Sequence, residues 1–170
     1  KLIADVGLVG FPNAGKSTLI SRISNARSKA AAYPFTTKNP ILGVVKFEDG
    51  EARVIADIPG IIEGAHEGRG MGIDFLKHVE RTKSLFHVID FAGVDGRDPL
   101  SDYKMMNEEL SSYSKKLAEK PQIIVANKMD LPEAKTNLTK FKRKVKKEIF
   151  SISAVTGEGL KELLNRLRGL

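Results

Sequence analysis

Eight residues near the start of the chain form a candidate phosphate-binding loop. They read GFPNAGKS, from Gly10 to Ser17, and match the pattern G-x-x-x-x-G-K-[ST] between an apolar run and a helix-like stretch. Gly10 and Gly15 allow the backbone to wrap around an anion, so that successive N–H groups point inward. Lys16 would reach the β- and γ-phosphates of a nucleotide, and the Ser17 hydroxyl would ligate magnesium. The alternative is a turn that binds nothing, which the full match disfavours. The residues expected to contact nucleotide here are Gly10, Phe11, Pro12, Asn13, Ala14, Gly15, Lys16, Ser17 and Thr18.

A second motif, Asp57-Ile58-Pro59-Gly60, follows an apolar run further along the chain. An acid at the end of a strand can hold magnesium, usually through water. Gly60 leaves room for its N–H to meet a γ-phosphate oxygen. All four residues are therefore candidate nucleotide contacts. The alternative is a strand followed by an ordinary turn, which is less plausible downstream of a phosphate-binding loop.

A third motif, Asn127-Lys128-Met129-Asp130, indicates which base is bound. The Asp130 carboxylate can accept hydrogen bonds from the ring N–H and the exocyclic amino group of guanine. Adenine lacks that pair of donors, so an ATPase is disfavoured. Asn127 would brace the loop and approach the base edge, and the Lys128 stem would cover the base face. The backbone N–H groups of Ser153-Ala154-Val155 would complete the pocket.

Apolar runs alternate with helix-like stretches along the whole chain, and this order predicts the fold class. The pattern is typical of an α/β protein with a doubly wound, mostly parallel sheet, and a Glu48-Asp49-Gly50 turn adds one antiparallel hairpin. Ligands of such sheets bind at the carboxyl ends of the strands, where the three motifs fall. The predicted strands are Ile3–Val9, Ile41–Phe47, Ala52–Ile58, Leu85–Asp90, Gln122–Ala126 and Glu148–Ile152. The predicted helices are Lys16–Asn25, Ile73–Arg81, Leu100–Glu119, Lys135–Val145 and Leu160–Arg168.

With these motifs in order, the chain resembles the translation-factor-related class of P-loop GTPases, and within it the Obg family. The family resemblance rests on the segments Tyr33 to Thr37, Asp57 to Gly72 and Phe75 to Arg81. It implies a three-layer P-loop NTPase fold of the Ras-like G-domain type, with a six-stranded mostly parallel sheet, one antiparallel strand and about five helices. It also implies a single GTPase domain over residues 1–170, without the family's glycine-rich N-terminal domain or its variable C-terminal domain. Because the chain starts at Lys1 rather than Met, we expect that it was cut from a longer protein.

The resemblance assigns further roles in the switch segments. Thr37 would bind magnesium through its hydroxyl and the γ-phosphate through its N–H, with Phe35 and Thr36 beside the nucleotide. Thr36 has the simpler alternative of capping a turn. Ile61 stands where Ras-like GTPases place a water-orienting glutamine, so hydrolysis should be slow or should need help. In related GTPases an asparagine at the place of Asn13 coordinates potassium, and the alternative here is a loop-bracing side chain.

These assignments lead to two functional hypotheses. The first is a magnesium-dependent GTPase switch in which Lys16, Thr37, Gly60 and Asn13 act in catalysis, and Ser17, Thr37 and, through water, Asp57 hold the metal. The second is a nucleotide-gated RNA- or ribosome-binding module with negligible hydrolysis. The Obg family is associated with late assembly of the large ribosomal subunit and with the response to guanine tetraphosphate (ppGpp). The resemblance therefore implies ribosomal and ppGpp partners.

The net charge of +7 is concentrated in one segment. Residues 134–147 contain seven basic side chains and no acid, while the remaining 21 basic residues equal the 21 acids of the chain. This segment is either a patch for RNA or another acidic partner, or a solvated helix face. The chain has no cysteine and no apolar run long enough to span a bilayer, so we expect a cytoplasmic protein. A monomer is a separate expectation, since the sequence does not determine the oligomeric state. The basic residues of the segment are Lys135, Lys140, Lys142, Arg143, Lys144, Lys146 and Lys147.

Overall fold

A single mixed β-sheet organises the protein, and its central strand leads into the phosphate-binding loop. The computed structural model describes residues 4–25, 29–30, 40–58 and 79–170. The strands follow the spatial order β2-β3-β4-β1-β5-β6-β7, in which β3 runs antiparallel to both of its neighbours and the remaining pairs are parallel. The strands are β1 (Val6–Val9), β2 (Lys29–Ala30), β3 (Ile41–Lys46), β4 (Ala52–Asp57), β5 (Ser84–Asp90), β6 (Gln122–Asn127) and β7 (Ile149–Ser151).

The six strands predicted from the sequence are all present, with one antiparallel strand as expected. The two-residue strand β2 adds a further pairing at the sheet edge, which has too little sequence pattern to be foreseen. The hairpin between β3 and β4 closes where the Phe47 N–H donates to the Glu51 carbonyl at 2.8 Å. Gly50 occupies the turn with φ +88°, a left-handed conformation that favours glycine.

Five α-helices lie in the described part of the chain, together with a short 3₁₀ turn at Pro12–Ala14. The predicted helix over residues 100–119 is wrong as a single element, because it is interrupted at Ser114. Ser114 is extended (φ −164°, ψ 148°), and its side chain accepts a hydrogen bond from the Leu117 N–H at 2.9 Å, which caps a new helix. The predicted helix over 73–81 lies mostly outside the described residues. The helices are α1 (Lys16–Ile23), α2 (Pro99–Tyr113), α3 (Lys115–Glu119), α4 (Ala134–Lys144) and α5 (Leu160–Arg168).

The helices cover both faces of the sheet and make three layers. In β5, alternate side chains point to opposite faces, so Phe86 and Val88 join the core beneath α1 and α5. Leu85 and Ile89 point the other way, into the cores beneath α2 and α4. His87 shares that second face and is fully buried, with its ring stacked on Tyr103 at a centroid distance of 5.7 Å. Burial lowers the pKa of His87 from 6.5 to about 4, so the imidazole is neutral at neutral pH.

Candidate nucleotide-binding site

The loop that follows β1 can adopt its path only with glycine at two positions. Gly10 has φ +156° and Gly15 has φ +99°. A Cβ atom at Gly10 would lie 2.4 Å from the Val88 carbonyl oxygen, and one at Gly15 would lie 2.3 Å from the Asn127 Nδ2 atom. Both glycines of the motif are therefore needed to seat the loop against β5 and β6, in addition to any close approach to a phosphate.

The loop delivers the start of α1 to the carboxyl edge of the sheet. Gly15 is the N-cap of α1 and provides no side-chain hydrogen bond. The N–H groups of the first helical turn have no intrahelical acceptor, and the helix dipole adds partial positive charge at this end. Ser17 and Thr18 are exposed in this turn. The arrangement fits an anion such as a nucleotide phosphate, with the Ser17 hydroxyl free to reach a metal ion.

Lys16 and Asp57 form a buried ion pair beside this helix end. The pairing of Leu8 with Asp57 brings the end of β4 next to the loop, and the Lys16 Nζ atom lies 3.1 Å from Asp57 Oδ1. Each side chain is only 9% exposed. Asp57 Oδ1 has no well-aligned hydrogen-bond donor among the described residues, so the contact is held by charge and proximity. The structure therefore brings Lys16 and Asp57 together, and their roles toward phosphate and hydrated magnesium stay predictions.

Asn127 ties three parts of the site together. Its Nδ2 atom donates to the Ala14 carbonyl at 2.8 Å, and its Oδ1 atom accepts from the Ala154 N–H at 3.0 Å. Asn127 is 3% exposed, and both partner residues are also buried. The base-recognition motif is thus fastened to the phosphate-binding loop on one side and to the loop after β7 on the other. The expected bracing role of Asn127 is visible in these two contacts.

Asp90, at the end of β5, is a site residue that the motifs did not point to. Its Oδ1 atom accepts from the N–H groups of Ala92 at 2.8 Å and Gly93 at 3.1 Å. Its Oδ2 atom accepts from the Val94 N–H at 3.1 Å and lies 3.1 Å from Lys128 Nζ. Lys128 has φ +65°, and its ion pair with Asp90 holds its ammonium group at the end of β5. The available signal was position, because Asp90 ends a parallel strand at the same sheet edge as the other motifs.

The turn that Asp90 organises reaches back to the phosphate-binding loop. The Asn13 side-chain amide donates to the Asp95 carboxylate, and the Arg97 guanidinium lies 3.8 Å from the centroid of the Phe11 ring. Arg97 is itself fixed by Asp102, with Nη2 to Oδ1 at 2.8 Å. The bond from Asn13 to Asp95 is a contact of the kind that a loop-bracing side chain makes. Its potassium-binding role stays a prediction.

The base-binding edge is assembled from the loops after β6 and β7. Asp130 is exposed at the open side of this edge. Met129 is anchored by its N–H, which donates to the Ile152 carbonyl at 3.1 Å. Of the three N–H groups expected to complete the pocket, that of Ser153 donates to the Glu158 carbonyl at 2.9 Å, and that of Ala154 is held by Asn127. Among the described residues no acceptor is found for the Val155 N–H, so it is the one of the three left to meet a base.

The remaining predicted contacts lie outside the described residues. These are Phe35, Thr36, Thr37, Pro59 and Gly60. Over residues 4–25, 29–30, 40–58 and 79–170, no group of three or more His, Cys, Asp or Glu side chains is arranged to hold a metal ion. Within the same ranges no helix has the length and apolar character needed to cross a membrane.

Comparison with known proteins identifies the family to which this site belongs. A family model described as 50S ribosome-binding GTPase matches residues 5–128, which include all the motifs up to Lys128. The chain belongs to this GTPase family. The resemblance to Obg proteins is also confirmed: GTPase Obg of Desulfitobacterium hafniense (strain Y51) is 60% identical over 166 residues. GTPase Obg of Caldicellulosiruptor saccharolyticus is 55% identical over 169 residues.

The alignments with these relatives cover 96% and 98% of this chain but only 39% and 40% of the relatives. The chain therefore spans about two fifths of their length. Among solved structures, the G domain of the Thermotoga maritima FeoB iron transporter is similar, with a TM-score of 0.67, 23% identity and 96% of both chains covered. The cytosolic domain of Legionella pneumophila FeoB has a TM-score of 0.67 at 20% identity, covering 96% of this chain and 62% of that one. This likeness concerns the fold, and it confirms the predicted P-loop GTPase architecture.

Proposed function

We propose that this chain binds guanine nucleotides with magnesium and slowly hydrolyses GTP to GDP and phosphate, acting as a molecular switch. The observation that carries the proposal is the double contact of Asn127, which joins the base-recognition motif to the phosphate-binding loop. A site that recognises a base and also binds phosphates needs the base-recognition motif and the phosphate-binding loop at a fixed separation. The Lys16–Asp57 pair supplies the matching charges at the phosphate end.

Base selection is assigned to Asp130. Its carboxylate is exposed at the open edge, where it can accept from both donors of a guanine base. An adenine base would leave that carboxylate desolvated without a partner, which sites of this kind penalise heavily. The Lys128 stem, directed by its contact with Asp90 at 3.1 Å, lies beside the base.

The donor set at the phosphate end fits a magnesium ion. Ser17 offers a hydroxyl and Asp57 a carboxylate, and the resemblance adds the Thr37 hydroxyl. Oxygen donors of this kind are those that magnesium prefers, with water completing its coordination. When bound, the ion would supply positive charge that neutralises the phosphates.

The chain's own residues favour hydrolysis by positioning. Lys16 and the N–H groups at the start of α1 stabilise negative charge on the phosphates, and the Gly60 N–H is assigned to the γ-phosphate. Ile61 has no polar group to orient the attacking water, so turnover should be slow. Asn13 is the proposed potassium ligand that offsets this loss. Its Nδ2 atom is engaged by Asp95, so its Oδ1 atom is the one left to meet a cation.

A second candidate function is a nucleotide-gated binding module with negligible intrinsic hydrolysis. Ile61 favours it, because the isoleucine side chain has no polar group that could orient the attacking water. The bond from Asn13 to Asp95 is compatible with both functions, because it uses Nδ2 and leaves Oδ1 for a cation. The two functions differ in phosphate release, not in nucleotide affinity.

The proposed biological setting is large ribosomal subunit assembly and its control during stress and growth. Support comes from the matched family, whose description reads 50S ribosome-binding GTPase. The basic segment 135–147 supplies charge for rRNA phosphates, and guanine tetraphosphate is a further ligand because its guanine diphosphate part suits the same loops. Charge-removing variants of this segment should lose particle binding in a strongly salt-dependent way. Binding that is unaltered across salt concentrations would indicate a solvated helix face.

The test of the enzymatic proposal is phosphate release from GTP with magnesium, in potassium and in sodium buffer, with ATP as the control substrate. Faster release from GTP in potassium supports the potassium-assisted GTPase and the role of Asn13. Release that is slow and equal in both buffers supports hydrolysis but not the potassium site. Tight GTP binding without release in either buffer supports the binding module instead.

A further inference from the structure

A pocket of about 290 Å³ opens beside α4 and shares no residue with the nucleotide site. It lies between the first turn of α2 and one flank of α4. More of its surface is apolar than polar, and three basic side chains stand around that apolar surface. The lining residues are Asp98, Pro99, Leu100, Asn137, Lys140, Phe141, Arg143 and Lys144.

The floor of the pocket is rigid. Phe141 is 1% exposed and packs edge-to-face on Phe91, at a centroid distance of 5.0 Å, and on Tyr103 at 5.5 Å. The Asn137 amide, on the same helix, donates to the Phe91 carbonyl at 2.7 Å. These contacts fix α4 against the end of β5. The pocket is therefore bounded on this side by side chains that are packed into the core.

The lining contains one acid, Asp98, which is the N-cap of α2. The Asp98 carboxylate accepts from the Ser101 N–H at 3.0 Å and from the Ser101 hydroxyl at 3.1 Å, as the N-cap of α2. Both hydrogen bonds use Oδ2, so the single negative charge of Asp98 stands against three positive charges in the same lining. The pocket therefore presents a net positive field around an apolar surface.

Three cations around the pocket have no acidic partner in the described part of the chain. Lys140, Arg143 and Lys144 are exposed, and none of their side chains takes part in an ion pair or hydrogen bond with another described residue. Their spacing of three and four residues places them on one flank of α4. Lys135 and Lys142 fall on the opposite flank, so the basic segment has two faces that can serve different partners.

We propose that this pocket binds an acidic segment of a partner protein that carries an apolar anchor side chain. The anchor, a leucine or similar residue, occupies the space beside the half-buried Leu100, over the buried Pro99 and Phe141, and flanking carboxylates meet Lys140, Arg143 and Lys144. A nucleic-acid base suits the pocket less well, because base recognition relies on exposed aromatic faces and the ring of Phe141 is buried. Apolar area and charge complementarity together give the site its preference.

The test measures binding of the 170-residue chain to three fluorescent probes of equal negative charge. The first is a short Asp/Glu-rich peptide with one central leucine, the second has serine in place of the leucine, and the third is single-stranded oligouridylate. Fluorescence anisotropy should show the leucine peptide binding about tenfold more tightly than the serine peptide, since burial of the anchor contributes about 1.5 kcal/mol. Equal binding of the two peptides, or tighter binding of the oligouridylate, would overturn the proposal.

Two triple variants separate the pocket from general positive charge. Replacing Lys140, Arg143 and Lys144 by alanine should weaken leucine-peptide binding at least about tenfold. The matched control replaces Lys135, Lys142 and Lys146 by alanine, which removes the same charge from elsewhere in the segment, and should weaken binding less than about threefold. Equal losses in the two variants would mean a diffuse field without a site, which contradicts the proposal.

A charge-neutral variant tests the apolar part. Leu100→Trp fills the pocket and leaves every cation in place, so the leucine peptide should fall to the affinity of the serine peptide. Cooperative urea unfolding of each variant verifies that it is folded before binding is compared. Retention of the full preference for leucine in a folded Leu100→Trp variant would refute the assigned pocket.

Discussion

The contacts of Asn127 lead to a quantitative prediction for the variant Asn127→Ala. The substitution removes a donor to the Ala14 carbonyl at 2.8 Å and an acceptor for the Ala154 N–H at 3.0 Å. Ala14 is 2% and Ala154 1% exposed, so both backbone groups lose their partner in a place that water reaches poorly. An unsatisfied buried polar group costs about 1–3 kcal/mol. We expect the free energy of unfolding to fall by about 3 kcal/mol.

The same variant should lose nucleotide affinity without losing base preference. With Asn127 shortened, the phosphate-binding loop is no longer held to the base-recognition loop, and nucleotide binding has to supply that ordering. We expect the Kd for GDP to rise by about tenfold, which corresponds to about 1.4 kcal/mol. The preference for guanine over xanthine nucleotides should be unchanged, because Asp130 is untouched.

Urea unfolding and fluorescent-GDP titration measure these two effects. The matched control is Asn165→Ala, which changes an exposed position of α5 and should alter stability by less than about 0.5 kcal/mol. Unfolding should be followed without nucleotide, because bound ligand adds its own stabilisation. An Asn127→Ala protein as stable as the control variant, with unchanged GDP affinity, would refute the bridging role.

Three other substitutions test separate parts of the argument. Asp130→Asn should shift binding from guanine toward xanthine nucleotides, whose C2 oxygen can accept from the new amide, and an unchanged guanine preference in titrations would contradict the assignment. His87→Leu should flatten the pH dependence of stability: burial lowers the native pKa to about 4, so between pH 6.5 and pH 4 the unfolded chain takes up a proton that the native state refuses. The stability that the neutral His87 ring contributes to the native state is therefore fully present above pH 6.5. It is lost as the pH falls from 6.5 to about 4. The loss of stability from pH 7 to pH 5 should therefore be about 2 kcal/mol smaller in His87→Leu, whereas equal losses in both proteins would argue against the lowered pKa. Gly159→Ala, at φ +76° with its Cβ 2.1 Å from the Ser151 carbonyl oxygen, should destabilise by at least about 2 kcal/mol more than Gly50→Ala, which has φ +88° and open space. Equal urea midpoints for the two alanine variants would show that the clash is relieved.

Much of the site could be predicted from sequence because its motifs are local. The glycines, Lys16 and Ser17 of the phosphate-binding loop act through a few consecutive residues, so their spacing carries the geometry. The six longer strands could be predicted for a similar reason, since they appear as short apolar or alternating runs, and the Glu48-Asp49-Gly50 turn marks the antiparallel hairpin. The basic segment and its helix α4 were also evident, because charge and helical periodicity are properties of the chain itself.

The local sequence pattern did not predict two features of the fold. One is a helix break caused by a single side chain, and the other is a strand that pairs over only two residues. The periodic stretch over residues 100–119 gives no strong sign of a break, yet Ser114 turns extended and caps a second helix. Strand β2 has two residues and depends on the neighbouring β3 for its existence. Neither feature is long enough to produce a periodic pattern of apolar residues in the sequence.

Contacts between distant residues were decided by the tertiary structure. The sequence placed Asn127 in a motif, but the order of strands β1, β5 and β6 brings it to Ala14, 113 positions away. The same order turns Asp90 into the anchor of Lys128 and brings Asp95 to Asn13. The pocket beside α4 likewise exists only where α2 and α4 pack together. The sequence by itself determined which chemical groups the protein contains. It also determined the local shape of each motif, because that shape depends on neighbouring residues. The fold decided which groups meet, because parallel strands gather the ends of distant segments at one edge of the sheet.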